Sequence, residues 1–138
     1  KRPVAIFPSA FGQGKTAGLN MAGGSAEYKG SMAMNSVGFR GIHSISVGYI
    51  QPPDDSCEVL SRLDRKRGVY KKVILKENRI IGAMFVNDVD RAGIYTGLIR
   101  AGLDISGIKD LMLTEEFGLL MLPQTYRKHL VSGAGIEV

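Results

Sequence analysis

Few residues in this chain could carry chemistry, and only one group of them has a recognisable spacing. Ser9 to Thr16 is an octet that ends in Gly14-Lys15-Thr16. It lies between a short β-like run, Pro3-Val4-Ala5-Ile6-Phe7, and a helical stretch. A phosphate-binding P-loop uses that order, cradling phosphates with backbone N–H groups and a lysine. An acid-bearing companion run exists at Ala83-Met84-Phe85-Val86-Asn87-Asp88. The details disagree with nucleotide chemistry. Ser9 stands where the octet needs glycine, Pro8 removes an N–H where the cradle would form, and the later strands read as an antiparallel hairpin. The P-loop is rejected.

The remaining candidates are isolated. His43 has no carboxylate or nucleophile beside it and reads as a strand-surface histidine. Cys57, the one cysteine, excludes an internal disulfide framework and any Cys-x-x-Cys redox or zinc site in this chain; it reads as a packed thiol. His129 reads as a dipole partner at the end of a last helix. Asp88, Asp90, Asp104 and Asp110 fall near helix starts and form no acid–base pair.

Charge offers one surface. The formal net charge of +5 is moderate, and much of the basic excess lies in Arg62, Arg65, Lys66, Arg67, Lys71 and Lys72. Such clusters are usually solvated loops, and the sharper reading is a docking patch for an acidic protein or a phosphate-bearing ligand. Stacking aromatics are missing there apart from Tyr70, which disfavours nucleic acid. No window approaches the roughly 18 apolar residues of a membrane span. A reducing, cytoplasmic compartment is the expectation from the cysteine usage.

The elements that position these residues centre on Val69–Arg100. Val69–Lys76 and Arg79–Val86 are β-rich runs separated by Glu77-Asn78, a pair suited to a type I′ hairpin turn. Regular alternation predicts Val73, Leu75, Ile80, Met84 and Val86 on one face, with Ile74, Ile81, Ala83 and Phe85 on the other. A hairpin apolar on both faces belongs in the middle of a sheet, with cover on each side. Asn87-Asp88 is expected to cap a helix over residues 89–101, stopped by Gly102 in a Schellman turn. Upstream, Ile42–Ile50 alternates as a half-buried strand with Ile45, Val47 and Tyr49 on one side, and residues 57–63 form another. Residues 28–37 have poor periodicity and read mostly as a connector. Downstream, short helices are expected through Met112, from Thr114 with Glu115 and Glu116, and from Pro123. With 138 residues there is room for one modest core.

The opening helix is the costly element. It is expected to start at Pro8-Ser9, run through Met21 and stop at Gly23-Gly24. Gly12, Gly14 and Gly18 inside it each cost about 1 kcal/mol relative to alanine. Such a cost is tolerated where another backbone or a flat ligand must come close.

Read together, Pro8–Gly23 with its Gln13-Gly14-x-x-Ala17-Gly18-x-Asn20-Met21-x-Gly23 pattern resembles the last FAD-domain helix of the FAD-dependent pyridine nucleotide-disulphide oxidoreductases. The branch with NADH:rubredoxin reductase, NADH oxidase and the nitrite reductase flavoprotein is the most similar. Tyr28-x-Gly30 followed by Asn35 resembles that family's crossover into its third domain, and the hairpin with Arg91–Ile99 resembles its interface domain. The resemblance implies residues 1–27 as the last strand and helix of an FAD-binding domain, and 28–138 as an α+β interface domain. The latter is an antiparallel sheet of about four to five strands with helices packed on it. It implies a C-terminal fragment whose parent transfers hydride from NAD(P)H to FAD, with both dinucleotide fingerprints upstream of Lys1. Ile6, Phe7, Pro8, Ser9 and Ala10 would face the flavin in that parent. The fragment alone is expected to bind neither FAD nor NAD(P)H and to be inactive. Its expected partners are the upstream FAD and NAD(P) domains, with a homodimer or an acidic electron carrier possible. The alternative is a stand-alone interaction domain that docks such a carrier through the basic turn, Arg65 to Lys72.

Overall fold

Glu77 and Asn78 both take left-handed backbone, with φ of 51° and 58°, so the turn they form has the twist that closes a two-residue hairpin. A computed structural model describes residues 4–124, 126 and 127 of the chain. In it the hairpin strands, β4 (Val69–Lys76) and β5 (Arg79–Val86), sit inside a five-stranded antiparallel sheet. The others are β1 (Met34–Phe39), β2 (Ile42–Gly48) and β3 (Glu58–Asp64), in the order β1-β2-β5-β4-β3. The architecture is α+β, as expected. The connector reading of residues 28–37 misses the edge strand β1, which an Arg40-Gly41 turn (φ 48° and 80°) joins to β2. An edge strand with one exposed face offers too few apolar positions to show a period of two.

The core lies on one face of the sheet. Val47, Val73, Leu75, Ile80, Ala83 and Phe85 meet Ala92, Tyr95 and Leu98 of α2 (Ala92–Ala101), and Ile105, Met112, Phe117 and Leu122 complete the cluster. This corrects the predicted alternation along the hairpin. Val73 pairs with Ala83, Ile74 with Gly82, but Leu75 pairs with Ile80, because the register shifts between Ile74 and Leu75. The irregularity gives β5 an extra residue, so Ile80, Ala83 and Phe85 all reach the core, while Met84 and Val86 face away. Tyr49 does not share the inner face with Ile45 and Val47 either. Gly48 turns with φ 67°, and Tyr49 is left exposed.

The opposite face is covered only at one end. There the link from β2 to β3 crosses the hairpin, and Ile74 is wholly buried. Lys72 donates to the Ile50 carbonyl (2.6 Å), and Lys76 pairs with Asp54 (2.6 Å). Farther along, the row Leu63–Tyr70–Val86–Ser44–Val37 runs across all five strands. Leu63 and Val37 are exposed, as are the neighbouring Phe39, Ile42 and Val59.

Helix boundaries differ from expectation where side chains find tertiary partners. α2 begins at Ala92 without a side-chain cap. Asn87, expected to cap it, takes φ 62°, accepts from the His43 N–H (3.2 Å) and donates to the Gly68 carbonyl (2.8 Å). Gly102 (φ 58°) closes α2 by donating to the Leu98 carbonyl (3.0 Å), a left-handed stop. Ser106–Leu111 is a 3-10 helix whose entry is held by the Asp104 carboxylate on the Ser106 N–H (2.8 Å). No helix starts at Thr114. The carbonyls of Leu113, Glu115 and Phe117 accept instead from Arg62 and Arg91, and Glu115 pairs with Arg67. The helix from Pro123 begins, with Tyr126 and Arg127 donating to the Pro123 carbonyl. The reading of Lys128 and His129 lies outside the described residues.

Candidate functional site

The first helix, α1 (Phe7–Met21), stands apart from this core. Pro8 lies in its first turn, where a missing N–H costs nothing. Its other end follows the Schellman pattern: Gly23 (φ 85°) donates to Asn20, and Gly24 donates to the Leu19 carbonyl (2.9 Å). The strand expected at Pro3–Phe7 is not formed over its described part. Ile6 is extended, but no described strand pairs with it. An extended segment without a neighbour has no ladder to join.

What ties α1 to the rest is the segment after it. The Asn20 side chain grips the backbone of Ala26 twice, accepting from its N–H (2.6 Å) and donating to its carbonyl (3.0 Å). The Tyr28 ring lies over Gly12, so close that a Cβ there would sit 3.2 Å from the ring. Gly12 is the glycine whose cost is explained inside the chain. Gly14 and Gly18 face open space.

Phe7, Phe11, Gly14, Gly18 and Met21 follow one another at steps of four and three, so they form one stripe along α1. Phe7 is 83% and Met21 89% exposed. The stripe is apolar, small in its middle, and uncovered by any described part of the chain.

The five residues Ile6, Phe7, Pro8, Ser9 and Ala10 come together as the N-cap and first turn of α1. Ile6 provides no side-chain cap and the turn contains no acid. The N–H groups of Phe7 and Ser9 lack intrahelical acceptors, and the helix dipole adds its positive end there. Ser9 alone of α1 is buried, at 1% exposure, and its hydroxyl has no hydrogen-bond partner. The Tyr28 hydroxyl is also sealed and unpartnered, though it lies in the outer layer of the molecule. Nearby polar side chains, Ser31 foremost, draw its pKa below the ordinary tyrosine value. Sequence reasoning missed the seating of Tyr28 on Gly12, although both belong to motifs it singled out.

The other sequence candidates stay apart. Gly14-Lys15-Thr16 lies well inside α1, with the Thr16 hydroxyl turned onto the Gly12 carbonyl (3.0 Å), so no phosphate cradle exists. His43 is an exposed strand residue. Cys57 is half-buried and sits 3.6 Å from the Asp54 carboxylate. Asp88 pairs with Lys71 at 2.7 Å, and Asp104 holds a turn. Among the described residues no group of His, Cys, Asp and Glu is placed to hold a metal, and no helix is long and apolar enough to cross a membrane. Of the basic cluster, Arg62, Arg67, Lys71 and Lys72 have partners within the chain. Arg65 and Lys66 stay exposed at the turn.

Comparison with known proteins adds an independent finding. A profile of the Rubredoxin NAD+ reductase C-terminal domain matches residues 34–103, from the start of β1 to just past α2. The NADH-dependent phenylglyoxylate dehydrogenase subunit epsilon of Aromatoleum evansii is 34% identical over 128 residues, 89% of this chain and 30% of that protein. The nitrite reductase [NAD(P)H] of Bacillus subtilis (strain 168) is 26% identical over 97 residues, 70% of this chain and 12% of that protein. The chain thus spans a third or less of the curated relatives it matches. Among solved structures, NADH:rubredoxin oxidoreductase from Clostridium acetobutylicum superposes with a TM-score of 0.57 at 28% identity, covering 77% of this chain and 27% of that one. A NAD-dependent persulfide reductase from A. fulgidus gives 0.63 at 21% identity, over 82% of this chain and 24% of that one, a likeness of fold.

Proposed function

Because the chain belongs to the Rubredoxin NAD+ reductase C-terminal domain family of the pyridine nucleotide-disulphide oxidoreductases, we propose that it completes the flavin site of an FAD-dependent NAD(P)H oxidoreductase. In this reading residues 1–27 close the FAD-binding domain and 28–138 form the interface domain. Upstream domains of the same polypeptide lie on the bare stripe of α1. The open face of the sheet, with Val37, Phe39, Ile42, Val59 and Leu63 exposed, supports an interface with those domains, with a second copy, or with an electron acceptor.

One observation carries the reading: the first turn of α1 is uncapped, free of acids and open to an incoming group. These residues fit a flavin. The N–H group of Phe7, with the helix dipole behind it, suits a ring edge that gains negative charge on reduction. Exposed Phe7 and Pro8 offer apolar contact, and Gly14 and Gly18 let a neighbouring backbone approach the same helix. FAD, when bound, would take hydride from NAD(P)H and pass electrons to an acceptor. The chain's own part is to orient the ring and hold positive potential at its edge.

The test places an acid at that end. In the full-length, FAD-loaded protein, Ala10→Asp is expected to lower the flavin midpoint potential and loosen FAD. Unchanged potential and retention would remove α1 from the flavin site. By itself, the 138-residue chain is expected to retain no FAD, and a yellow preparation of it would contradict the division of labour.

A further inference from the structure

β1 ends the sheet, with no described strand beyond it. Its pairing with β2 shows which backbone groups are spare. Gly48 donates to the Ala33 carbonyl (2.8 Å), and Phe39 faces Ile42 across the Arg40-Gly41 turn. Antiparallel alternation then turns Asn35, Val37 and Phe39 inward to β2, and points the N–H and C=O groups of Met34, Ser36 and Gly38 outward. Sheet edges are ordinarily blunted by lysine, proline, a bulge or a covering segment. β1, Met34-Asn35-Ser36-Val37-Gly38-Phe39, has no charge and no proline, pairs with β2 without a register shift, and is exposed from Asn35 to Phe39. The other edge is guarded. β3 carries Glu58, Arg62 and Asp64; Lys109 pairs with Glu58 (2.7 Å), and Arg62 donates to the Leu113 carbonyl (3.3 Å).

We propose that the outer edge of β1 pairs with β1 of a second copy of this chain, antiparallel across a two-fold axis, so that two sheets join into one. Charge selects the occupant. The chain carries a net charge of +5, so two copies repel each other unless they meet through a neutral stretch, and β1 is such a stretch. An acidic partner gains nothing from it. The apolar row selects the register. Val37, 48% exposed, ends the row that begins at Leu63. An axis at Val37 sets that residue against its own copy, Ser36 against Gly38, and Asn35 against Phe39. Ser36 and Gly38 then exchange backbone hydrogen bonds, and the row continues through both sheets. An axis at Ser36 would set Val37 against Asn35 and break the row. A two-fold contact of this kind is self-complementary and closes at two copies, leaving no β1 edge open. The inference goes beyond the flavin reading of α1 and does not rest on it.

The experiment measures the mass of the full-length protein by sedimentation equilibrium, with FAD content and far-UV circular dichroism read on the same samples. The wild type is expected to be a dimer. Ser36→Pro removes an outward N–H without touching the bonds to β2, and Val37→Lys brings like charges together at the axis. Each is expected to weaken the dimer by about tenfold or more, the contribution of one net hydrogen bond, with the dichroism unchanged and FAD retained. Val59→Lys, at an exposed site on β3, is expected to leave the dimer intact. Val37→Cys in a Cys57→Ser background is expected to form a covalent dimer on mild oxidation that the Cys57→Ser protein alone does not, since directly opposed residues lie within disulfide reach. A monomeric wild type overturns the proposal, and if it holds FAD the flavin reading is untouched. A dimer that survives both Ser36→Pro and Val37→Lys is held by some other surface and overturns it as well. Dissociation by Val59→Lys would assign the contact to the open face instead of the edge. A dimer in which Val37→Cys fails to cross-link overturns the register.

Discussion

Gly48 of β2 and Gly82 of β5 are Cα partners across the sheet, and a Cβ on either would strike backbone. From Gly82 it would overlap the Tyr49 carbonyl oxygen, and from Gly48 that of Ile81. This pair lets the link from β2 to β3 leave the sheet and cross directly over the hairpin. The shifted register that brings Ile80 into the core lies beside it. Gly82→Ala is therefore expected to destabilise the domain by about 3 kcal/mol or more, at the upper end of overpacking costs. Gly48→Ala should do likewise, with the added strain of φ 67°. Chemical denaturation measures both, and a loss below about 1 kcal/mol for Gly82→Ala would mean the crossing link sits elsewhere.

Gly14 and Gly18 should behave in the opposite way. With nothing near their missing side chains, alanine at either position should stabilise α1 in the isolated chain by about 0.5–1 kcal/mol. In the full-length protein the same changes should destabilise, since there a neighbouring backbone would meet the added methyl. Amide exchange in α1 of the short chain and thermal unfolding of the long one read the two signs. Stabilisation in both would leave the stripe uncovered.

Lys71 projects to the core side of β4, 8% exposed, and meets Asp88 at 2.7 Å. Asp88→Asn removes the partner of a nearly buried ammonium and is expected to cost about 3 kcal/mol, the low end for breaking a buried pair because Asp88 itself reaches water. Lys71→Met combined with Asp88→Leu should cost less than Asp88→Asn alone, since no charge is then stranded. Urea denaturation of the three proteins decides it, and equal losses would argue against a desolvated pair.

Asp54 ties down the link that crosses the hairpin. The Lys76 ammonium first, and then the Ser56 hydroxyl and N–H, hold its carboxyl well below the usual carboxylate range. Because the folded value is depressed, the contribution is present above the unfolded value of about 3.9 and is lost as pH falls through the folded value. Carboxyl-carbon NMR of Asp54 should show a midpoint below the ordinary one, with the Ser56 amide shift following it. Asp54→Asn should abolish that amide response. A midpoint near 3.9 would show the contact to be loose in solution.

Local chemistry made much of this protein legible before its fold was seen. The Glu77-Asn78 turn, the hairpin's central place, the stops at Gly23 and Gly102 and the family motif of α1 all depend on neighbours in the chain, whose preferences act over a few residues. Failure of the P-loop was readable in the same way, from Ser9 and Pro8. What only the tertiary structure decided depends on groups far apart in sequence. Asn87 left its capping role for Gly68 and His43, Arg62 and Arg91 took the carbonyls that a helix at Thr114 would have used, and the register shift by Gly82 brought Ala83 and Phe85 to the core face beside Ile80. The seating of the Tyr28 ring on Gly12 belongs with these, because a side chain's neighbour is set by where the chain returns, and local preference contains no record of that path.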